Sequence, residues 1–303
     1  MRFRAWRARV LYLRLVHTIA FEKYEGLGND FLVVLREGAV LEREVVRALC
    51  DRHRGVGGDG VLLVSKTLDA LRMEVLNADG SRPEMCGNGL RCVVLDVVRR
   101  GWARANEAFV IETDAGPHRV HLHADSEARL EAGDVEIEMR APSFTASEIP
   151  FVSPSEASTM RDEAFVCGEQ TLRFSAASMG NPHVVTFDAL SDEEARKWGP
   201  FMEAHPRFPE HANAGFASIV NAREMNLRVY ERGVGWTEAC GTGACAAAAL
   251  AVETGRMPRH VPLRVNLPGG PLVITVREPG ERVRMRGPAT HVFSGSTRFT
   301  HAR

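Results

Sequence analysis

The stretches PEMCGNGLRC (residues 83–92) and TEACGTGACAAAAL (residues 237–250) share one frame, Cys-Gly-Xaa-Gly, and each runs on into small or apolar residues. After Cys86, Leu90, Val93, Val94, Val97 and Val98 recur at i, i+3, i+4, i+7 and i+8. That spacing predicts an amphipathic helical face, ending near Gly101. The alanine-rich run after Cys240 predicts a second helix, closing at Gly255. Two helices opened by the same four-residue frame, about half the chain apart, suggest a fold built twice.

Working outward, the first frame is preceded by a strand–turn–strand at 21–35 with its turn at Gly-Asn-Asp, a helix at 41–53, and strands GVLLVS and LRMEVLN. Alternating segments follow at 108–113, 118–123 and 134–140. Residues 140–158 hold three Pro and five Ser, which places a boundary there. Beyond it come strands near 164–167 and 171–175, a polar helix at 191–204, strands GFASIV and LRVYERG, the second frame, and strands at 262–267, 271–277 and 281–286. The expectation is two topologically similar α+β halves. A single α/β domain would alternate strands and helices, and this chain has long strand-only stretches.

The 303 residues carry 38 basic and 39 acidic side chains, so no broad basic field for nucleic acid is expected. No apolar run reaches the ~18 residues of a membrane span. Residues 1–20 contain five Arg and no acid, like a transit peptide, but Arg14 interrupts the apolar part and Thr18 is the one Ser or Thr. A disordered extension is expected there, in a cytoplasmic protein. The six cysteines include no C-x-x-C, so neither a zinc ribbon nor a thioredoxin-like site is expected, and no metal. Cys50, Cys92 and Cys245 are expected in the core, and Cys167 as structural or exposed.

Cys86 and Cys240 are different. A helix N-terminus offers unpaired N–H groups and partial positive charge, which draw a thiol pKa from about 8.5 towards neutrality. The same N–H groups can hold a carboxylate. Two such thiols facing one carbon could remove a proton from one side and return one from the other. No cofactor is needed for that, and no dinucleotide or phosphate-loop pattern implies one. Asn29, Asn77, Asn181, Asn213, His183, Glu231 and Arg232 lie in neighbouring loops and strand ends. They suit clasping of amino and carboxylate groups, although Asn in loops is commonly a turn former.

These motifs resemble the diaminopimelate epimerase family. The resemblance covers about residues 21–300 and is most specific at NADGSRPEMCGNGLR (77–91). GLGNDF (26–31), SMGNPH (178–183), NAGF (213–216), YERGVG (230–235) and ACGTGACA (239–246) add matches in order. The resemblance implies two pseudo-symmetric domains, each a barrel-like, mainly antiparallel sheet around a central helix, with the site between them. It divides the chain into 21–145 plus a returning strand near 288–303, and 146–287. It implies pyridoxal-independent interconversion of LL- and meso-diaminopimelate in lysine and peptidoglycan-precursor synthesis, and a homodimer as the candidate assembly. By position, Cys86 and Cys240 are its acid/base pair, with His183 and Glu231 assisting. Gly87 and Asn88, with Gly241 and Thr242, hold the reacting carboxylate. Asn29, Asn77, Asn181, Asn213, Glu231 and Arg232 contact the ammonium groups and distal end. Two positions depart: Gly60, where many members have Gln, and Trp236, where many have Glu.

Proline and hydroxyproline racemases share the two-thiol chemistry, but their pattern has His after the first Cys-Gly and Asp-Arg-Ser-Pro before the second cysteine. Here those places hold Asn88 and Trp-Thr-Glu-Ala (236–239). A catalytically silent binding protein on the same scaffold and a thiol–disulfide oxidoreductase are the remaining alternatives.

Overall fold

The computed structural model describes residues 16–36, 41–124, 130–153 and 159–300. Its first elements are β1 (Val16–Gly26), β2 (Asn29–Leu35), α1 (Arg43–Cys50), β3 (Gly60–Lys66), β4 (Leu71–Asn77) and α2 (Gly87–Arg99). Then come β5 (Ala108–Thr113), β6 (Gly116–His123), β7 (Ala132–Glu138) and a 3-10 turn at Ala146–Glu148. The second run is β8 (Glu163–Cys167), β9 (Gln170–Ser178), β10 (Pro182–Thr186), α3 (Asp192–Glu203), β11 (Asn213–Asn221), β12 (Glu224–Glu231), β13 (Gly235–Trp236) and α4 (Gly241–Glu253). It ends with β14 (Pro262–Leu267), β15 (Gly270–Thr275) and β16 (Arg284–Thr300). None of these helices is long and apolar enough to cross a membrane.

The repeat shows in the pairing. In the first half β1–β2 is antiparallel, β2–β3 parallel across α1, β3–β4 antiparallel and β4–β5 parallel across α2. In the second, β9–β10, β10–β11 across α3, β11–β12 and β12–β14 across α4 follow the same order. A parallel pair needs a crossover, and a helix supplies each of the four. Pairing of β1 with β16 closes the first half into an eight-stranded barrel, β1-β2-β3-β4-β5-β6-β7-β16.

A helix inside a sheet must be apolar all round. From Asn88 to Val98 every residue of α2 is buried, not the single face that the spacing suggests. Of the two charged residues inside, Asp96 is paired, meeting Arg100 Nε at 2.6 Å and accepting the Tyr24 hydroxyl at 3.0 Å, while Arg91 bonds only the Pro288 carbonyl, through Nε at 3.0 Å. The other central helix, α4, is nearly half alanine and equally enclosed. Ala is the best helix former and lets surrounding strands approach closely. Gly101 and Gly255, both at positive φ, end the two helices where expected. Outside the sheet, α1 packs Val46, Leu49 and Cys50 on Leu32, Val34, Val61 and Leu63. On the other half, α3 carries a Ser191–Glu194 capping box and buries Ala195, Trp198 and Met202.

Three expectations are corrected. Residues 16–20, placed in a disordered extension, begin β1 and pair with Ser296–Thr300, which suits the β-branched Val16, Thr18 and Ile19; residues 1–15 lie outside the described residues. The first turn falls at Leu27 (φ 58°) and Gly28 (φ 83°), a two-residue hairpin, so Asn29 and Asp30 belong to β2. The last strand, split in the sequence at Gly287-Pro288, runs unbroken from Arg284 and joins the halves: it pairs with β15 at Arg284–Arg286, with β7 at Arg284–Thr290 and with β1 beyond.

Candidate active site

Each central helix starts from its cysteine. Cys86 and Cys240 are the N-caps of α2 and α4, both in extended backbone, with φ −136° and −120°. An N-cap in that conformation folds its side chain back over the first helical turn. Cys86 Sγ accepts the Gly89 N–H at 3.4 Å, and Cys240 Sγ lies 3.6 Å from Thr242 Oγ1.

The two helix starts meet. A Cβ placed on Gly87 would lie 3.1 Å from Met285 Cε, and one placed on Gly241 would lie 3.1 Å from Met285 Sδ. The single thioether of Met285, from β16, therefore fills the space between the first residues of both helices. Asn88 Nδ2 donates to the Ala239 carbonyl at 3.2 Å, linking the first turn of α2 to the residue before Cys240. The β1–β2 hairpin tip locks the same junction, since a Cβ on Gly269 would fall 2.1 Å from the Leu27 carbonyl oxygen. Glycine is required there.

Burial dominates the electrostatics and reverses the expected direction. Both thiols sit above their ordinary pKa, not below it, because desolvation disfavours a thiolate more than the helix N–H groups favour it. Their neighbours differ. Around Cys86 the Gly89 N–H and the Arg91 charge pull downward while Glu231 pushes up. Around Cys240, held well above the ordinary value, Glu231 adds to burial, and Thr242 and the Gly243 N–H oppose it. Glu231 is itself raised by burial, against the bond it accepts from Thr237 Oγ1 at 2.5 Å.

The other candidates fall into separate groups. Asn29 stands with the thiol loops, its Oδ1 accepting from Asn88 Nδ2. Asn181, His183, Asn213 and Arg232 form a second group beside Glu231. His183 and Asn213 are register partners on β10 and β11, and His183 Nε2 is 3.0 Å from Asn181 Oδ1. Asn213 donates to the Pro182 carbonyl at 2.9 Å and accepts the Arg232 N–H at 3.0 Å. Burial first, then Arg232, pushes His183 down to about 3, so its ring is neutral at physiological pH. Asn77, at the end of β4, gives its amide to Ser81 Oγ at 2.9 Å.

The departures have structural counterparts. A Cβ at Gly60 would fall 2.6 Å from the Leu76 carbonyl oxygen, so the β3–β4 pairing has closed to a distance that excludes a side chain. Trp236 packs edge-on against Tyr230 at 5.4 Å and also contacts Phe216, within the second half. Sequence reasoning missed Met285, which carries no local motif and reaches the site only through tertiary contacts, and passed over Thr237, which lies in the second frame and bonds Glu231. Cys50, Cys92 and Cys245 are buried as expected, Cys167 is half-buried, and all six thiols are free.

The sequence profile described as Diaminopimelate epimerase matches residues 21–140 and 175–292. A curated relative from Desulforudis audaxviator, named Diaminopimelate epimerase, is 44% identical over 280 residues, spanning 91% of this chain and 98% of that protein. One of the same name from Heliobacterium modesticaldum is 40% identical over 282 residues, spanning 91% and 98%. Among solved structures, a PhzF-family phenazine biosynthesis protein from Bacillus anthracis shares the fold, with TM-score 0.67 at 17% identity over 93% of this chain and 99% of that one. With matched segments that include both cysteine loops and the relatives aligned nearly end to end, the chain belongs to the diaminopimelate epimerase family of isomerases.

Proposed function

We propose that the chain converts LL-diaminopimelate to meso-diaminopimelate without a cofactor, with Cys86 and Cys240 as its acid/base pair, in the supply of lysine and peptidoglycan precursors. The observation that carries this is the meeting of two cysteine-capped helix starts across Met285. The substrate carboxylate lies against the N–H groups of the two first turns, Gly87-Asn88 and Gly241-Thr242, where partial positive charge favours it. One sulfur, as thiolate, takes the α-proton: the C–H bond breaks, an S–H bond forms, and the electron pair spreads into the carboxylate, stabilised by the helix ends. The opposite thiol gives its proton to the other face, so the centre inverts and the thiolate has changed sides.

Because burial holds both thiols protonated at rest, one proton must leave before turnover. Glu231 hydrogen-bonds the Cys240 thiol and keeps that side in the acid form, so Cys86 is the thiol that gives up its proton to become the base. Asn29, Asn77, Asn181, Asn213, Glu231 and Arg232 serve the ammonium groups and the distal end, with His183 as a neutral partner of Asn181. We also place the enzyme in the cytoplasm, as a homodimer, the latter checked by sedimentation.

The deciding measurement is proton NMR of LL-diaminopimelate in D2O with the reduced protein, alongside L-proline. Loss of the α-proton signal for diaminopimelate alone, with meso product appearing, is expected. Exchange with proline instead would move the chain to racemase chemistry, and exchange with neither would leave a silent scaffold.

A further inference from the structure

Asp59, in the segment between α1 and β3, is absent from every role assigned above. Each group facing its carboxylate is a donor. Arg52 Nη2 reaches Oδ1 at 2.8 Å, while Asn29 Nδ2 and the Asp30 N–H both reach Oδ2 at 3.1 Å. A carboxylate can only accept, so it fixes which end of the Asn29 amide faces it. The nitrogen is held on Asp59, and the Asn29 oxygen is turned towards Asn88, accepting from its Nδ2. That same nitrogen also donates to the Ala239 carbonyl. With its nitrogen held by two acceptors, Asn88 leaves its own Oδ1 buried and without a partner, 3.8 Å from where a Gly241 Cβ would stand.

We propose that Asp59 is a positioning residue for the two-thiol reaction: through Asn29 it sets the amide orientation of Asn88, and so holds the first turn of α2 in register with the segment that carries Cys240. The role rests on the reaction proposed above. Asn88 is two residues from Cys86 and Ala239 is adjacent to Cys240, so a slip in this relay displaces one thiol relative to the other. An amide at position 59 cannot serve the same neighbours. With its oxygen towards Asn29 and Asp30, its NH2 would oppose the Arg52 guanidinium. Turned round, it would oppose the Asn29 NH2, and a flipped Asn29 would then set donor against donor at Asn88.

The test combines Asp59→Asn with Asp59→Glu, which keeps an acceptor-only group. Nitrogen-15 NMR of the Asn88 side-chain amide reads the relay directly, and α-proton exchange from LL-diaminopimelate reads kcat and KM. Asp59→Asn should release the protected Asn88 amide protons and lower kcat about 10- to 100-fold, as expected for a displacement near 1 Å. KM should change less than kcat, since the thiol spacing is felt most in the transition state, and Asp59→Glu should restore part of kcat. If Asp59→Asn does not fold, Asn29→Ala breaks the same relay one link on and should release the same Asn88 signal. An unchanged Asn88 signal, an unchanged kcat, or a kcat loss matched by loss of stability would each overturn the role of Asp59. An inactive wild type would instead overturn the reaction itself, while the Asn88 signal still reports whether the relay exists.

Discussion

The α2 half and the α4 half are built alike and charged differently. Both wrap a buried helix, both open it with an N-cap cysteine, and both end it at a left-handed glycine. Yet α2 encloses Arg91, fully buried with only its Nε bonded, at 3.0 Å to the Pro288 carbonyl, whereas α4 from Gly241 to Val252 carries no charge. The charge acting on Cys240 is the Glu231 carboxylate, which hydrogen-bonds its thiol. A duplicated scaffold thus presents both thiols to the Glu231 carboxylate but only Cys86 to an opposing cation, Arg91. Under the reaction proposed above, symmetric geometry would serve approach to two faces of a carbon, and the charge difference would set which sulfur starts as base.

The largest expected effect tests the shared part. Cys86→Ser and Cys240→Ser should each slow epimerisation by about 10²- to 10⁴-fold, the contribution of a placed acid or base. Exchange rates measured from LL- and from meso-diaminopimelate would sharpen the comparison. Unequal losses in the two directions support distinct thiols, and identical losses in every case would break the asymmetry.

Next comes the anion. Glu231→Gln removes a negative charge and a bond partner from Cys240, so the pKa of that thiol should fall more than that of Cys86. The pH dependence of alkylation, resolved by mass spectrometry, should show Cys240 gaining reactivity, and epimerisation should fall roughly tenfold or more. No change at Cys240 would remove Glu231 from its assigned place.

The third residue after each cysteine separates chemistry from packing. A Cβ on Gly243 would lie 3.0 Å from Val229 Cγ2 and 3.1 Å from Cys240 Sγ, whereas one on Gly89 would meet Leu62 Cδ2 at 2.9 Å and no sulfur. Gly243→Ala should therefore lower kcat, and Gly89→Ala should cost about 1–3 kcal/mol of stability through overpacking with a smaller effect on turnover. The reverse pattern in paired denaturation and rate measurements would overturn the placement of the two thiols.

The smallest effect is a pH dependence confined to the second half. His183 has its folded pKa near 3 against 6.5 in the unfolded chain, so between those values the unfolded state binds the proton. Its contribution is complete above about pH 6.5 and is lost as pH falls, by about 2 kcal/mol at pH 5. His183→Gln should lack this part of the acid slope in denaturation curves at pH 7 and pH 5. An equal slope would show that the ring is protonated in the folded protein.

Elements written in local pattern were legible: the hydrophobic positions of α2, the alanines of α4, the alternation of β6 and the capping glycines. Contacts between distant segments were not. Nothing near Met285 announces that it will lie between two helix starts, and Asp59 is hidden in a glycine-rich stretch whose turn chemistry explains it adequately. Gly287-Pro288 reads as a break, yet β16 passes through it, Gly287 being needed because a Cβ there would fall 2.4 Å from Leu272 Cδ2. The direction of the thiol pKa was misjudged because helix-end stabilisation is visible in a motif, whereas burial depends on the whole surrounding sheet.

The path of β16 has a consequence for biosynthesis. Of the sixteen strands among the described residues it is translated last, yet it supplies the strand that closes the first barrel against β1 and β7. While the ribosome is still making the second half, β1 and β7 each present an unpaired edge, the kind of surface that invites pairing between nascent chains. Truncation before Arg284 would therefore unseal the half that was made first, and a chaperone that shields β1 until β16 emerges would protect the residues around Cys86 rather than those around Cys240.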